Sequence, residues 1–135
     1  MDMNRYTEKA QQALVQAQSL AAEYSHGQIE GEHLLLALLR QSDGVVPLIL
    51  QGLGLQADLL AQKIEGELAG RSQVYGGTTQ VGLSRELSRT LQRAETLAKE
   101  MRDDFVSTEH LLLALAEDRA GNSARLLQGS GLTKD

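Results

Sequence analysis

The chain has 135 residues, a formal net charge of −5, 3% aromatic residues and no cysteine. That length suits one domain, able to bury roughly two-thirds of the surface its unfolded chain exposes. The missing cysteines exclude disulfide staples, thiolate catalysis and Cys-ligated zinc, and the scattered Lys and Arg residues leave no electrostatic footprint for nucleic acid.

No apolar run resembles a signal peptide or reaches membrane-spanning length, so the chain reads as cytoplasmic, with no membrane partner. Leu, Ala and Val must form the core. The first helix is expected to start at Thr7, whose hydroxyl can accept a bond from a first-turn N–H. Ala10, Leu14, Ala17, Ala21 and Tyr24 then recur at three- and four-residue steps and make one buried face. A polar turn, Ser25 to Gln28, leads to a second helix from Gly31, in which Leu34, Leu35, Ala37 and Leu38 cover much of the circumference, marking it as the most buried. A short third helix spans Val45 to Leu50, with Pro47 in its first turn, where a missing N–H costs little. Gly52 and Gly54 end it. A fourth helix spans Ala57 to Ala69 with Leu59, Leu60, Ile64 and Leu68 inward. Gly70 to Gly82 reads as a linker, rich in glycine and polar residues and without a helical period.

The pattern then repeats. EHLLLAL occurs at Glu32–Leu38 and again at Glu109–Leu115, an offset of 77 residues. At the same offset Leu14, Ala17, Leu20 and Ala21 fall on Leu91, Ala94, Leu97 and Ala98, and Gln51, Gly52, Gly54 and Leu55 fall on Gln128, Gly129, Gly131 and Leu132. A constant register without a gap means a duplicated structural unit. The second copy is expected to start at Ser84, with Leu87, Leu91, Ala94, Ala98 and Met101 inward. A turn at Arg102 to Asp104, a helix from Thr108 and a short helix from Ser123 to Leu127 follow. The fold class is therefore all-α: one domain, 1–135, made of two pseudo-symmetric four-helix repeats, 4–69 and 83–135, joined by linker 70–82. The last helix of the second repeat is expected to be cut off at Asp135.

The chain contains no GxxxxGK[ST] phosphate loop, no GxGxxG and no HExxH, and no Ser, His and carboxylate group by periodicity, so no catalytic role is expected. Gly76-Gly77 sits in the linker and is not a phosphate cradle. His33 and His110 each follow a Glu. They read either as a two-His, two-Glu metal site across the pseudo-twofold, or as structural histidines bonded to nearby backbone, with the Glu complementing the helix dipole. The second reading is preferred, and no metal is expected. His26 reads as a solvated turn residue.

RYTEKAQQAL, EHLLLALL and LQGLGL, followed by a second copy with DDFVSTEHLLLAL, resemble the N-terminal domain of Clp-type AAA+ unfoldases. The resemblance runs from Arg5 to Leu132 and includes the duplication and its spacing. GRSQVYGG and DDFVSTEH are most similar to the ClpB disaggregases, while RYTEKAQ and LQGLGL are also similar to the ClpC unfoldases, which feed a protease. Gly31 departs from the pattern, replacing the Ser or Thr common before the first EH. The resemblance implies a domain with no cofactor of its own, joined by a mobile linker to rings that use ATP and Mg²⁺. The isolated domain is expected to be monomeric. The full-length protein is expected to be a homohexamer that cooperates with a DnaK-type chaperone and receives unfolded or aggregated polypeptides. Thr7, Asp103 and Glu109 match residues tied to substrate engagement, at the rim of a groove between the repeats with Leu91 and Leu112 on its floor. The alternative is an adaptor- or phosphoarginine-binding regulatory domain of a ClpC/ClpA-type unfoldase. There Thr7 with Glu32, and Ser84 with Glu109, would form two polar pockets.

Overall fold

The computed structural model describes residues 3–71, 81–117, 124, 126 and 127. The chain is all-α. A short 3-10 turn, Met3–Arg5, precedes α1 (Glu8–Glu23), α2 (Gly31–Leu39), α3 (Val45–Gly52) and α4 (Ala57–Ala69), then α5 (Arg85–Glu100) and α6 (Thr108–Glu117). Two two-residue strands interrupt this order: β1 (Gln28–Ile29) and β2 (Gly82–Leu83).

α1 and α5 are built alike. Thr7 caps α1 with its hydroxyl 3.2 Å from the Ala10 N–H, and Ser84 caps α5 at 3.0 Å from the Leu87 N–H. Ala10, Ala13, Leu14, Ala17, Leu20 and Ala21 are the buried face of α1. Leu87, Thr90, Leu91, Ala94, Leu97 and Ala98 are that of α5. Each helix packs on the next, α1 on α2 and α5 on α6, and the two pairs meet chiefly through α2 and α6. α2 is buried all round, every side chain from Glu32 to Leu39. Its five leucines each contribute roughly 1.5–3 kcal/mol of burial.

Three helices end in the same way. Ser25 (φ 57°), Arg102 (φ 61°) and Gly54 (φ 82°) are left-handed, one residue past the C-caps Tyr24, Met101 and Leu53. In each case the following N–H bonds back to the helix: His26 to the Ala21 carbonyl at 2.9 Å, Asp103 to Ala98 at 2.8 Å and Leu55 to Leu50 at 2.9 Å. This is a Schellman termination. It turns the chain sharply and carries His26 and Asp103 over the start of the next helix.

Several expectations change. Gly52 is the last residue of α3 and only Gly54 terminates it. Leu59 is 58% exposed, because it lies about 100° around α4 from Leu60, which with Ile64 and Leu68 faces the core. Met101, the C-cap of α5, is 54% exposed where the chain leaves the helix. The cap of α2 is Glu30 and not Gly31. In the second copy of the third helix, Ala124, Leu126 and Leu127 are helical and buried. Ser123, Gly129, Gly131, the Gly76-Gly77 pair and the region after Leu127 lie outside the described residues.

The two halves are stitched crosswise. β1 and β2 pair in parallel, Gln28 with Gly82 and Ile29 with Leu83, so Gly82 belongs to a strand. The Ser84 N–H then donates to the Ile29 carbonyl at 3.0 Å. At the matching place Tyr6 bridges Val106 in parallel, and the Thr7 N–H donates to the Val106 carbonyl at 2.9 Å. The first helix of each repeat therefore begins beside the second helix of the other. Among the described residues no single helix is long and apolar enough to cross a membrane; α3 and α4 pass such a test only together, across a 111° bend.

Candidate functional site

The crossing creates two related polar junctions, one at Val106 and one at Ile29. It also re-pairs the residues that the phosphoarginine reading grouped by repeat. Thr7 is tied to the segment leading into Glu109, and Ser84 to the segment leading into Glu32.

The Val106 junction is open. The turn Met101, Arg102, Asp103, Asp104 and Phe105 is exposed throughout, with Phe105 at 53%. The Ser107 N–H donates to His110 Nδ1 at 2.8 Å. That contact uses the Nδ1 lone pair, so the neutral ring carries its proton on Nε2 and donates to Asp103 Oδ2, 2.9 Å away. Glu109, in the first turn of α6, is exposed, and Thr7 is half-buried. The junction thus presents a helix start, an Asp103 carboxylate oriented by His110, and two exposed apolar side chains. Along α1 just beyond Thr7 lies a shallow depression of about 470 Å³, lined by Glu8, Gln11, Gln12, Val15 and Gln16.

The Ile29 junction is closed. The Glu30 N–H donates to His33 Nδ1 at 2.8 Å, and Glu30 and His33 form a capping box in which the histidine stands where Glu or Gln is usual. His33 Nε2 therefore carries the ring proton and donates to His26 Nδ1, 2.8 Å away. His26 occupies the place of Asp103, is 7% exposed and stacks on Tyr24, so it is not the solvated turn residue its local sequence suggests. Burial lowers the affinity of both rings for a second proton, with the neighbouring Arg71 guanidinium acting in the same direction; His33 is lowered to about 4. Glu32 is buried and ion-paired with Arg71, which also reaches Glu67 at 3.9 Å. A cleft of about 330 Å³ is lined by His26, Gly27, Gln28, Glu30 and Arg71.

The remaining candidates lie deeper. Ser84 is fully buried, and Leu91 and Leu112 are 3% and 6% exposed within the core, so the proposed groove floor is closed over. Sequence reasoning missed Arg71, Ser107, Met101 and Phe105. The 77-residue offset carries His26 onto Asp103, and that was the available signal for the His26–His33 contact.

The histidine geometry decides between the two readings of the EH motifs. A metal-ligating histidine offers one bare nitrogen to the ion and donates its other N–H to an acceptor. His33 and His110 do the reverse, accepting a backbone N–H at Nδ1, which leaves the proton on Nε2. Ser107, His110 and Asp103 carry the atom types of a hydrolase triad, with Ser107 Oγ 3.0 Å from His110 Nδ1. The backbone N–H of Ser107 already occupies that lone pair, and the first repeat builds the same device around Glu30 with no hydroxyl. The arrangement is a helix cap.

Residues 5–130 match the family model of the Clp repeat (R) N-terminal domain. The chain is 37% identical over 123 residues, 89% of its length, to the chaperone protein ClpB of Nitratidesulfovibrio vulgaris, and spans 14% of that relative. Among solved structures it is similar to the Hsp104 N-terminal domain from Candida albicans, with a TM-score of 0.85 at 18% identity, over 96% of this chain and 84% of that one. It is also similar to the ClpV N-domain in a complex with a VipB peptide, with a TM-score of 0.73 at 26% identity, over 96% and 81% of the two chains.

Proposed function

The chain belongs to the Clp N-terminal domain family, and from that premise we propose that it is the client-binding domain of a ClpB-type, ATP-dependent chaperone in the cytoplasm. In this reading the domain engages unfolded or aggregated polypeptide and passes it to an AAA+ ring elsewhere in the full-length homohexamer. The single observation that carries it is the crossing at Val106, which gathers Thr7, Asp103 and Glu109 around one helix start. The first-turn N–H groups, which have no partner within the helix, and the positive end of the α6 dipole collect there. Exposed Met101 and Phe105 and the shallow depression along α1 supply general apolar contact. A peptide complex of the related ClpV N-domain supports polypeptide as the ligand class. Ordering a flexible chain on a shallow surface opposes binding, so affinity is expected at roughly micromolar or weaker.

Titration of an unfolded protein into the domain and into its Asp103→Ala, Glu109→Ala and Thr7→Ser variants tests this, with Tm measured alongside. Thr7→Ser keeps the cap and removes only a methyl group, so it controls for capping. The expected result is at least fivefold weaker binding for Asp103→Ala and Glu109→Ala at near-native Tm. Full binding by both variants would refute the assignment.

The second reading is a phosphoarginine- or adaptor-binding domain of the ClpC/ClpA kind. One observation bears on it: the Glu32 carboxylate already holds a guanidinium, that of Arg71. Of the two related pockets, only the one beside Glu109 is then open to a guanidinium from outside. This reading predicts that free phosphoarginine competes with the unfolded client and that Glu109→Ala abolishes the competition.

A further inference from the structure

Both ends of the inter-repeat segment are held by the same turn of the first repeat. Arg71, at its start, is ion-paired to Glu32, and Gly82–Leu83, at its end, pairs with Gln28–Ile29. Between these two anchors lies the buried His26–His33 pair, with His26 at the wall of the 330 Å³ cleft. Among the described residues, Arg71, just past the end of α4, opposes a positive charge on either ring, while Glu30, Glu32 and the Leu68 carbonyl favour one on His26. Tyr24 offers His26 only its ring face. The hydrogen-bond chain leaves no place for an added proton. Protonating His26 at Nδ1 sets it against the His33 Nε2–H, and protonating His33 at Nδ1 sets it against the Glu30 N–H.

We propose that the Ile29 junction is an acid-released latch: protonation of the His26–His33 pair drives Arg71 off Glu32 and unpairs β1 from β2. Opening uncovers Glu32 and gives the Ile29 junction the exposed form that the Val106 junction already has. The direction follows from linkage. A histidine whose folded-state affinity for protons is lowered leaves stability intact above its ordinary value of 6.5, and stability is lost as pH falls from there toward about 4. For one histidine with those two values, the opening equilibrium rises about 20-fold between pH 7 and pH 5.

Amide hydrogen exchange on the whole chain, without client, reads the latch directly. After correction for intrinsic rates, protection at Glu30 and Ser84 is expected to fall about 10- to 20-fold from pH 7 to pH 5, while protection at Thr7 and Val106 changes less than about threefold. His26→Asp installs the residue of the second repeat, an acceptor for the His33 Nε2–H, and is expected to abolish most of the pH dependence at Glu30 and Ser84. If that variant fails to fold, His26→Gln, whose side-chain oxygen accepts the same bond, takes its place. Equal losses at both junctions, unchanged protection at Glu30 and Ser84, or a wild-type pH profile in the variant would overturn the proposal. Because no client is present, these outcomes are independent of the client-binding reading.

Discussion

The two junctions share a backbone and differ in how they meet solvent. At Val106 the residue past the Schellman turn is Asp103, an exposed carboxylate that accepts from His110, and the following Glu109 stays exposed. At Ile29 the same positions hold His26 and Glu32, both buried, the second under Arg71. One substitution in the duplicated frame, carboxylate to imidazole, exchanges a charge that prefers water for a ring that tolerates burial. The difference teaches that the fold needs only an acceptor opposite the histidine Nε2–H. Its identity is therefore open to functional use, and one copy can stay exposed while the other is closed over.

The broadest way to break this comparison is in the core, where the copies are expected to be equal. Leu34 and Leu111 are equivalent and fully buried. Leu34→Ala and Leu111→Ala should each lower the unfolding free energy by about 2–5 kcal/mol in urea denaturation. A near-zero effect for either would show that its repeat contributes little to the cooperative core.

A smaller effect is expected from making the junctions alike. Asp103→His rebuilds the first repeat's pair at the second junction. The new imidazole would accept from the His110 Nε2–H when neutral and lose that bond when protonated. The urea midpoint should therefore fall more steeply than in the wild type as pH drops from 6.5 toward 5, and match it above pH 7. An unchanged pH profile would mean that solvent at the open junction hydrates the added charge.

The smallest expected effect lies in the turns themselves. Ser25 and Arg102 adopt left-handed backbone that glycine enters without a Cβ penalty. Ser25→Gly and Arg102→Gly should each raise stability by up to about 1 kcal/mol, read as a higher Tm. A lower Tm would mean that the side chain contributes more than the strain removes.

Much of this architecture was legible along the chain. The caps Thr7 and Ser84, the bounds of α4 and the burial of α2 follow from residue type and period, which act within a turn or two of helix. His26 was misread because its local sequence, Ser-His-Gly-Gln, looks like solvated loop. The Schellman turn, set by Ser25 at positive φ, carries it inward instead. Leu59 and Met101 were placed inward by spacing, but spacing is ambiguous by one position at a helix end or beside a stronger apolar neighbour.

The sequence by itself determined that two like helical units exist and where their first helices begin. Those are short-range matters of hydrogen-bonding valence and apolar period. Tertiary structure alone decided that Thr7 meets Val106 and Ser84 meets Ile29, so that each helix start is completed by the other repeat. It alone decided that Glu32 is covered by Arg71 while Glu109 is left exposed, and that Leu91 and Leu112 lie inside the core. The reason is physical. A repeat offset records what each unit is made of, but the same units can pair within or across the duplication. The choice is fixed by which arrangement buries α2 and α6 together and satisfies the backbone groups at their starts, a balance made between residues far apart in the chain.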